Sequence, residues 1–122
     1  MGERFAAIGA VSAFLGVAAG AFGAHGLRDR VPADLLAVWK TGAEYQLIHA
    51  LALVLIGLFS ISRPSGLSEA AGWAFVAGTV LFSGSLYLLA LTGTRAFGAV
   101  TPLGGLCFLA GWALFAVAVL KR

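Results

Sequence analysis

Four long apolar runs constrain this chain more than any other feature: Phe5 to Gly23, Tyr45 to Ile61, Ala71 to Leu91 and Pro102 to Leu120. Each matches the length that a helix rising 1.5 Å per residue needs to cross a hydrocarbon core of roughly 30 Å. The expectation is an all-α integral membrane four-helix bundle. Composition agrees, since 61% of the residues are hydrophobic and only 11% charged, against roughly 25% charged in soluble domains. The polar connections are short, so residues 1–122 read as a single membrane domain.

The formal net charge is +3. The basic residues are scattered along the chain, which argues against nucleic acid as a partner. Cys107 is the sole cysteine and lies inside the fourth run, which excludes a disulfide or a cysteine-based zinc site within one chain. Arg4 followed by an apolar run resembles the start of a secretory leader. At 19 residues the run exceeds the roughly 7–15 of a leader core. Three more spans follow it, so it reads as a first membrane helix.

Gly9, Ser12, Ala13, Gly16, Gly20 and Gly23 project within about 100° of one another on a helix. They predict a flat packing face with Gly16 and Gly20 in the GxxxG spacing. Gly104, Gly105 and Gly111 predict a similar face on the fourth helix. Between the first two spans, an interfacial amphipathic segment is expected over residues 32–44, with Pro32 and Asp34 suited to a helix start. Leu35, Val38, Trp39, Gly42, Tyr45, Gln46 and His49 share one stripe, which predicts Trp39 and Tyr45 at headgroup level. Lys40 and Glu44 lie off that stripe and are expected to form a solvated pair. A straight helix from Ala33 to Ile61 would reach about 43 Å, longer than the hydrocarbon core, and Gly42 is the expected bend.

Ser62 to Glu69 reads as a tight turn, Gly26 as a point of backbone freedom after the first helix, and Gly93 as the C-cap of the third helix. Thr101 is expected to cap the fourth helix, with Pro102 at its first position. The word AFGA occurs at residues 21–24 and 96–99, but its flanks do not align, so no internal repeat is read. Lys and Arg divide equally between the two sides of the membrane. An even number of spans puts both termini on one side, and the basic tail of Lys121 and Arg122 favours the cytoplasm.

A candidate polar cluster comprises His25, Tyr45, Gln46, His49, Ser83 and Tyr87. Ionisable groups inside a bilayer are costly, which singles out His49. Thr79, Ser83 and Tyr87 follow at four-residue spacing on one face of the third helix. The expected role is structural, with hydrogen bonds between helices and His25 turned inward toward His49 and Tyr45. Two histidines can ligate haem or a metal, yet no CxxCH, HExxH or third ligand is present. No catalytic residue, metal or cofactor is expected.

The blocks GAFGAHGL, WKTGAEYQLIHALAL, LFSGSLYLLALTG and VTPLGGLCFLAGW, in this order, resemble the small membrane family known as domain of unknown function 423. The motif positions fall here on His25, Trp39, Tyr45, Gln46, His49, Ser83, Tyr87, Thr101 and Pro102. The resemblance implies a four-helix protein of the bacterial inner membrane and supplies no activity. Three roles stand beside it. The favoured one is a non-enzymatic protein that packs with itself, lipid or a membrane-protein partner and supports envelope integrity. An oligomeric transporter or channel along helices 2 and 3 is the alternative, followed by a haem-, metal- or quinone-binding redox accessory.

Overall fold

The computed structural model describes residues 2–121; Arg122 of the basic tail lies outside the described residues. Helix α1 runs Gly2–His25, α2 Ala33–Ser62, α3 Gly66–Gly78, α4 Gly84–Thr92 and α5 Thr101–Leu120. A π-helical turn, Thr79–Ser83, joins α3 to α4, and a 3-10 turn, Arg95–Ala99, leads into α5. Four helical stretches are long and apolar enough to span a membrane: Gly2–His25, Ala33–Ser62, Gly66–Thr92 and Arg95–Leu120. Helices satisfy their own backbone polar groups, as lipid requires. Their outer faces carry exposed Phe14, Leu51, Leu55, Leu106 and Leu109, side chains that lipid solvates without penalty.

α1 lies antiparallel along α2, and the seam is a heptad of glycines. Gly2, Gly9, Gly16 and Gly23 are all buried. A Cβ on Gly2 would sit 2.6 Å from the Gly57 carbonyl oxygen, and one on Gly9 2.6 Å from that of Ala50. A Cβ on Gly16 would meet Leu47, and one on Gly23 the Trp39 indole. This seven-residue period is the left-handed packing mode in which one face follows its neighbour. It corrects the expected GxxxG pair, because a Cβ on Gly20 would have nothing within 4 Å and that residue takes no part in the seam. Gly26 does not adopt positive φ either; only Gly93, at φ 69°, does so among the described residues, as a left-handed C-cap should.

The amphipathic segment is the first three turns of α2, continuous with the membrane-spanning part. Trp39 is buried there, and its indole N–H donates to the Ala19 carbonyl at 2.8 Å. It therefore joins α1 to α2 instead of standing outward as an anchor. α2 stays helical through Gly42, whose missing side chain makes room for Tyr87; a Cβ there would sit 3.0 Å from the ring. Lys40 and Glu44 are exposed, but no ion pair joins them.

In the third span the buried positions step from Gly78 to Ser83, five residues, across the π turn. Phe75 before this turn and Ser83 and Leu86 at its end and beyond all face the bundle. Aromatic rings seat on glycines between α3 and α5: Phe75 on Gly111 and Phe108 on Gly78. Gly104 meets the Phe82 backbone, so the expected packing roles of Gly104 and Gly111 hold as contacts. Thr101 does not cap α5, which is preceded by Val100 without a side-chain cap. The 3-10 turn delivers the chain directly into the helix, and the Thr101 hydroxyl shares a 2.6 Å hydrogen bond with Ser85.

At the opposite membrane face, the Ser65 hydroxyl accepts from the Ser68 N–H and caps α3. Arg63 in the same turn donates to the carbonyls of Val119 and Lys121 at the end of α5, satisfying groups that the helix leaves open.

Candidate functional site

α2 is the central element, and its inward polar residues lie near its middle. Gln46 and His49 are buried. Gln46 points between α1 and α4, and its amide nitrogen donates to the Ser12 carbonyl at 2.9 Å. Its amide oxygen accepts from the Tyr87 hydroxyl at 2.6 Å. Side chains on a helix lean toward its N-terminus, so in the antiparallel α4 the Tyr87 ring passes Gly42 and reaches Gln46 one turn further along α2. One turn before Tyr87, the Ser83 hydroxyl donates to the Gly42 carbonyl at 2.7 Å. Three membrane spans are thus tied through one glutamine.

His49 occupies the junction of α2, α3 and α5. A carbonyl can only accept, so Nδ1 carries the proton donated to the Tyr45 carbonyl at 2.8 Å. An indole N–H can only donate, so Nε2 accepts from Trp112 Nε1 at 3.0 Å. The neutral imidazole has both nitrogens in use. Its ring stacks on Phe108 at 3.6 Å between centroids and 7° between planes, while Phe75 approaches edge-on at 5.2 Å. Among the described residues, no buried side-chain nitrogen or oxygen lacks a hydrogen-bond partner.

Two grooves open from this cluster toward the lipid. One, of about 470 Å³, lies between α1 and the α3–π segment and reaches Ser12, Gln46 and Thr79. The other, of about 600 Å³, lies between α2 and α5 and is walled by Tyr45, His49, Phe82, Phe108 and Trp112. Both linings are predominantly apolar.

The structure brings together five of the six predicted polar residues and separates His25 from them. His25 is exposed at the end of α1, where Gly23 is level with Trp39. His49 lies about 15 Å further along α2 at 1.5 Å per residue. The inward turn of His25 is therefore corrected, and two-histidine ligation has no geometric basis. Among the described residues, no group of three or more His, Cys, Asp or Glu side chains could hold a metal ion. Thr79 belongs to the predicted line, but its hydroxyl bonds back to the Phe75 carbonyl within its own helix. Sequence reasoning missed Ser12 as the partner of Gln46 and Trp112 as the partner of His49. Both sit in runs whose periodicity marks small or apolar faces, and neither spacing signals a partner on another helix.

The family model described as "Protein of unknown function (DUF423)" matches residues 19–105. The chain belongs to the DUF423 family. It is similar to the UPF0382 membrane protein YwdK of Bacillus subtilis, with 46% identity over 119 residues and 96% of each chain covered. A UPF0382 membrane protein of Staphylococcus epidermidis is 44% identical, covering 96% of this chain and 95% of its own. One from Staphylococcus aureus is 42% identical, covering 98% and 97%. No solved structure matches the chain. The DUF423 match takes in Tyr45, Gln46, His49, Ser83 and Tyr87, whereas Ser12 and Trp112 lie outside it. This chain is a membrane protein of a family whose function is unknown.

Proposed function

We propose that this DUF423 protein is a non-enzymatic building block of the bacterial inner membrane, with both termini on the cytoplasmic side. Its polar core locks four spans together, and its outer faces engage lipid, further copies or a membrane-protein partner in support of envelope integrity. One observation carries this reading: the polar groups of Gln46 and His49 are engaged in hydrogen bonds within the chain, three of the four to other helices. Polar residues used in this way act as glue between helices. The test is flux through proteoliposomes combined with native mass spectrometry from lipid. The reading expects tight vesicles and an oligomer or a retained partner; a monomer that passes protons, ions or small solutes would overturn it.

The groove between α1 and α3 favours a second reading, a transporter acting as an oligomer. It reaches Gln46 and Thr79 beside a π-helical turn, a feature frequent at functional sites. Solute flux that Gln46→Leu abolishes would support this reading over the first.

A further inference from the structure

Where α2 ends and α3 begins, a cavity of about 690 Å³ is lined by Arg63, Pro64, Ser65, Leu67, Ala118 and Lys121. It brings two cations together with no carboxylate in its wall. Glu69, the acidic residue nearest to Arg63 in sequence, lines a separate cavity with Arg4, Phe5 and Trp73. Among the described residues, neither Arg63 nor Lys121 has an ion pair.

The two cations are held differently. Arg63 is fixed: Nη1 donates to the Val119 carbonyl at 3.4 Å and Nη2 to that of Lys121 at 2.5 Å. Its guanidinium also lies over the Phe59 ring, 5.1 Å from the centroid. A guanidinium has five N–H donors, so capping α5 uses two and leaves three, together with the positive charge. The Lys121 ammonium makes no hydrogen bond among the described residues and is free to turn toward a ligand. The first turn of α3 adds weaker donors: Ser65 takes up the Ser68 N–H, and the N–H groups of Gly66 and Leu67 stay open.

Three membrane-spanning stretches, Ala33–Ser62, Gly66–Thr92 and Arg95–Leu120, have one end at this cavity. It therefore lies at the level of lipid headgroups. Ile61, Val117 and Leu120 are exposed and adjoin its lining residues in sequence, so the cavity continues into the apolar outer surface.

We propose that this cavity binds the phosphate of an anionic phospholipid. The Arg63 fork can meet two phosphate oxygens at once, and Lys121 adds an adjustable point charge. A headgroup of net negative charge is preferred to a zwitterionic one, which would set its own ammonium beside two uncompensated cations. A lipid suits the place better than free phosphate because its acyl chains can lie along Ile61, Val117 and Leu120.

This inference deepens the reading of the chain as a module whose outer faces engage lipid and rests on it, yet the two fail separately. Solute flux with the lipid preference intact would remove the packing module alone, and tight vesicles without that preference would remove the lipid site alone. Full-length protein is released for native mass spectrometry from nanodiscs of phosphatidylglycerol and phosphatidylcholine in equal parts, which offer both lipids at both faces. One phosphatidylglycerol per chain should be retained over phosphatidylcholine by more than about ten-fold, since each basic residue beside an anionic headgroup contributes about five-fold. Lys121→Gln and Arg63→Gln should each lower the preference by about that factor. Arg4→Gln, on the same membrane face but outside the cavity, and Lys40→Gln, toward the other end of α2, should leave it unchanged. Arg63→Gln also removes two bonds to α5, so thermal unfolding checks each fold, and the exposed Lys121 decides the matter where Arg63→Gln does not fold. Inorganic phosphate should not displace the lipid. Equal retention of the two lipids, a preference that survives Lys121→Gln, or an equal loss in Arg4→Gln would overturn the proposal. Displacement by inorganic phosphate would overturn it too, by making a soluble anion the ligand.

Discussion

Trp112 donates its indole N–H to Nε2 of His49 at 3.0 Å, across the contact between α5 and α2. Because Nδ1 is committed to the Tyr45 carbonyl, this bond fixes the tautomer and ties the fourth span to the centre of the bundle. Trp112→Phe keeps a ring but leaves Nε2 without its donor. We expect a loss of about 0.6–2 kcal/mol in unfolding free energy, read by steric trapping or denaturation in bicelles. Nitrogen NMR of the wild type should show the proton on Nδ1; a proton on Nε2 would refute the arrangement.

The tie between Gln46 and Tyr87 calls for a double-mutant cycle. Gln46→Leu and Tyr87→Phe should each destabilise, and together by less than their sum. A coupling near 0.6 kcal/mol, and at most about 1.7, is the range found for hydrogen bonds between membrane helices. Additive effects would mean that the 2.6 Å bond contributes nothing.

Glycines of the first helix separate cleanly. Gly9→Val drives a side chain against the Ala50 carbonyl, so α1 must move away from α2. Overpacking of this kind costs roughly 1–3 kcal/mol. Gly20→Ala meets open space and should be neutral, or gain up to about 1 kcal/mol from helix propensity. Unfolding measurements that rank Gly20→Ala as the more damaging would contradict the seven-residue seam.

His25 offers a different kind of check. Exposed and distant from His49, it should tolerate His25→Ala with no measurable change in stability. Isothermal titration of the purified protein with zinc should show the same absence of a stoichiometric site with and without His25. Stoichiometric zinc binding lost in the variant would show that the two histidines meet.

Much of this architecture is legible one residue at a time. Span length and composition report directly on the solvent, so four helices and their turns follow from hydropathy, and Gly93 from its place after an apolar run. The polar residues of α2 stand out for the same reason, since Gln46 and His49 are costly in lipid. Periodicity fails where one face has to choose a neighbour. Gly16 and Gly20 have the same spacing signal, yet only Gly16 meets α2. The contact of Gly42 with Tyr87 is hidden for the same reason, since the two are distant in sequence.

By itself, then, the sequence determined that this chain is an all-helical membrane protein, because the transfer of each side chain from water to lipid is a local property. Only the tertiary structure decided that Trp39 is buried, that His25 and His49 stay apart, and that Ser12 and Trp112 complete the polar core. Those outcomes depend on the relative height and rotation of antiparallel helices. The glycine heptad on α1 sets part of that geometry, and its effect appears only when two helices are placed together.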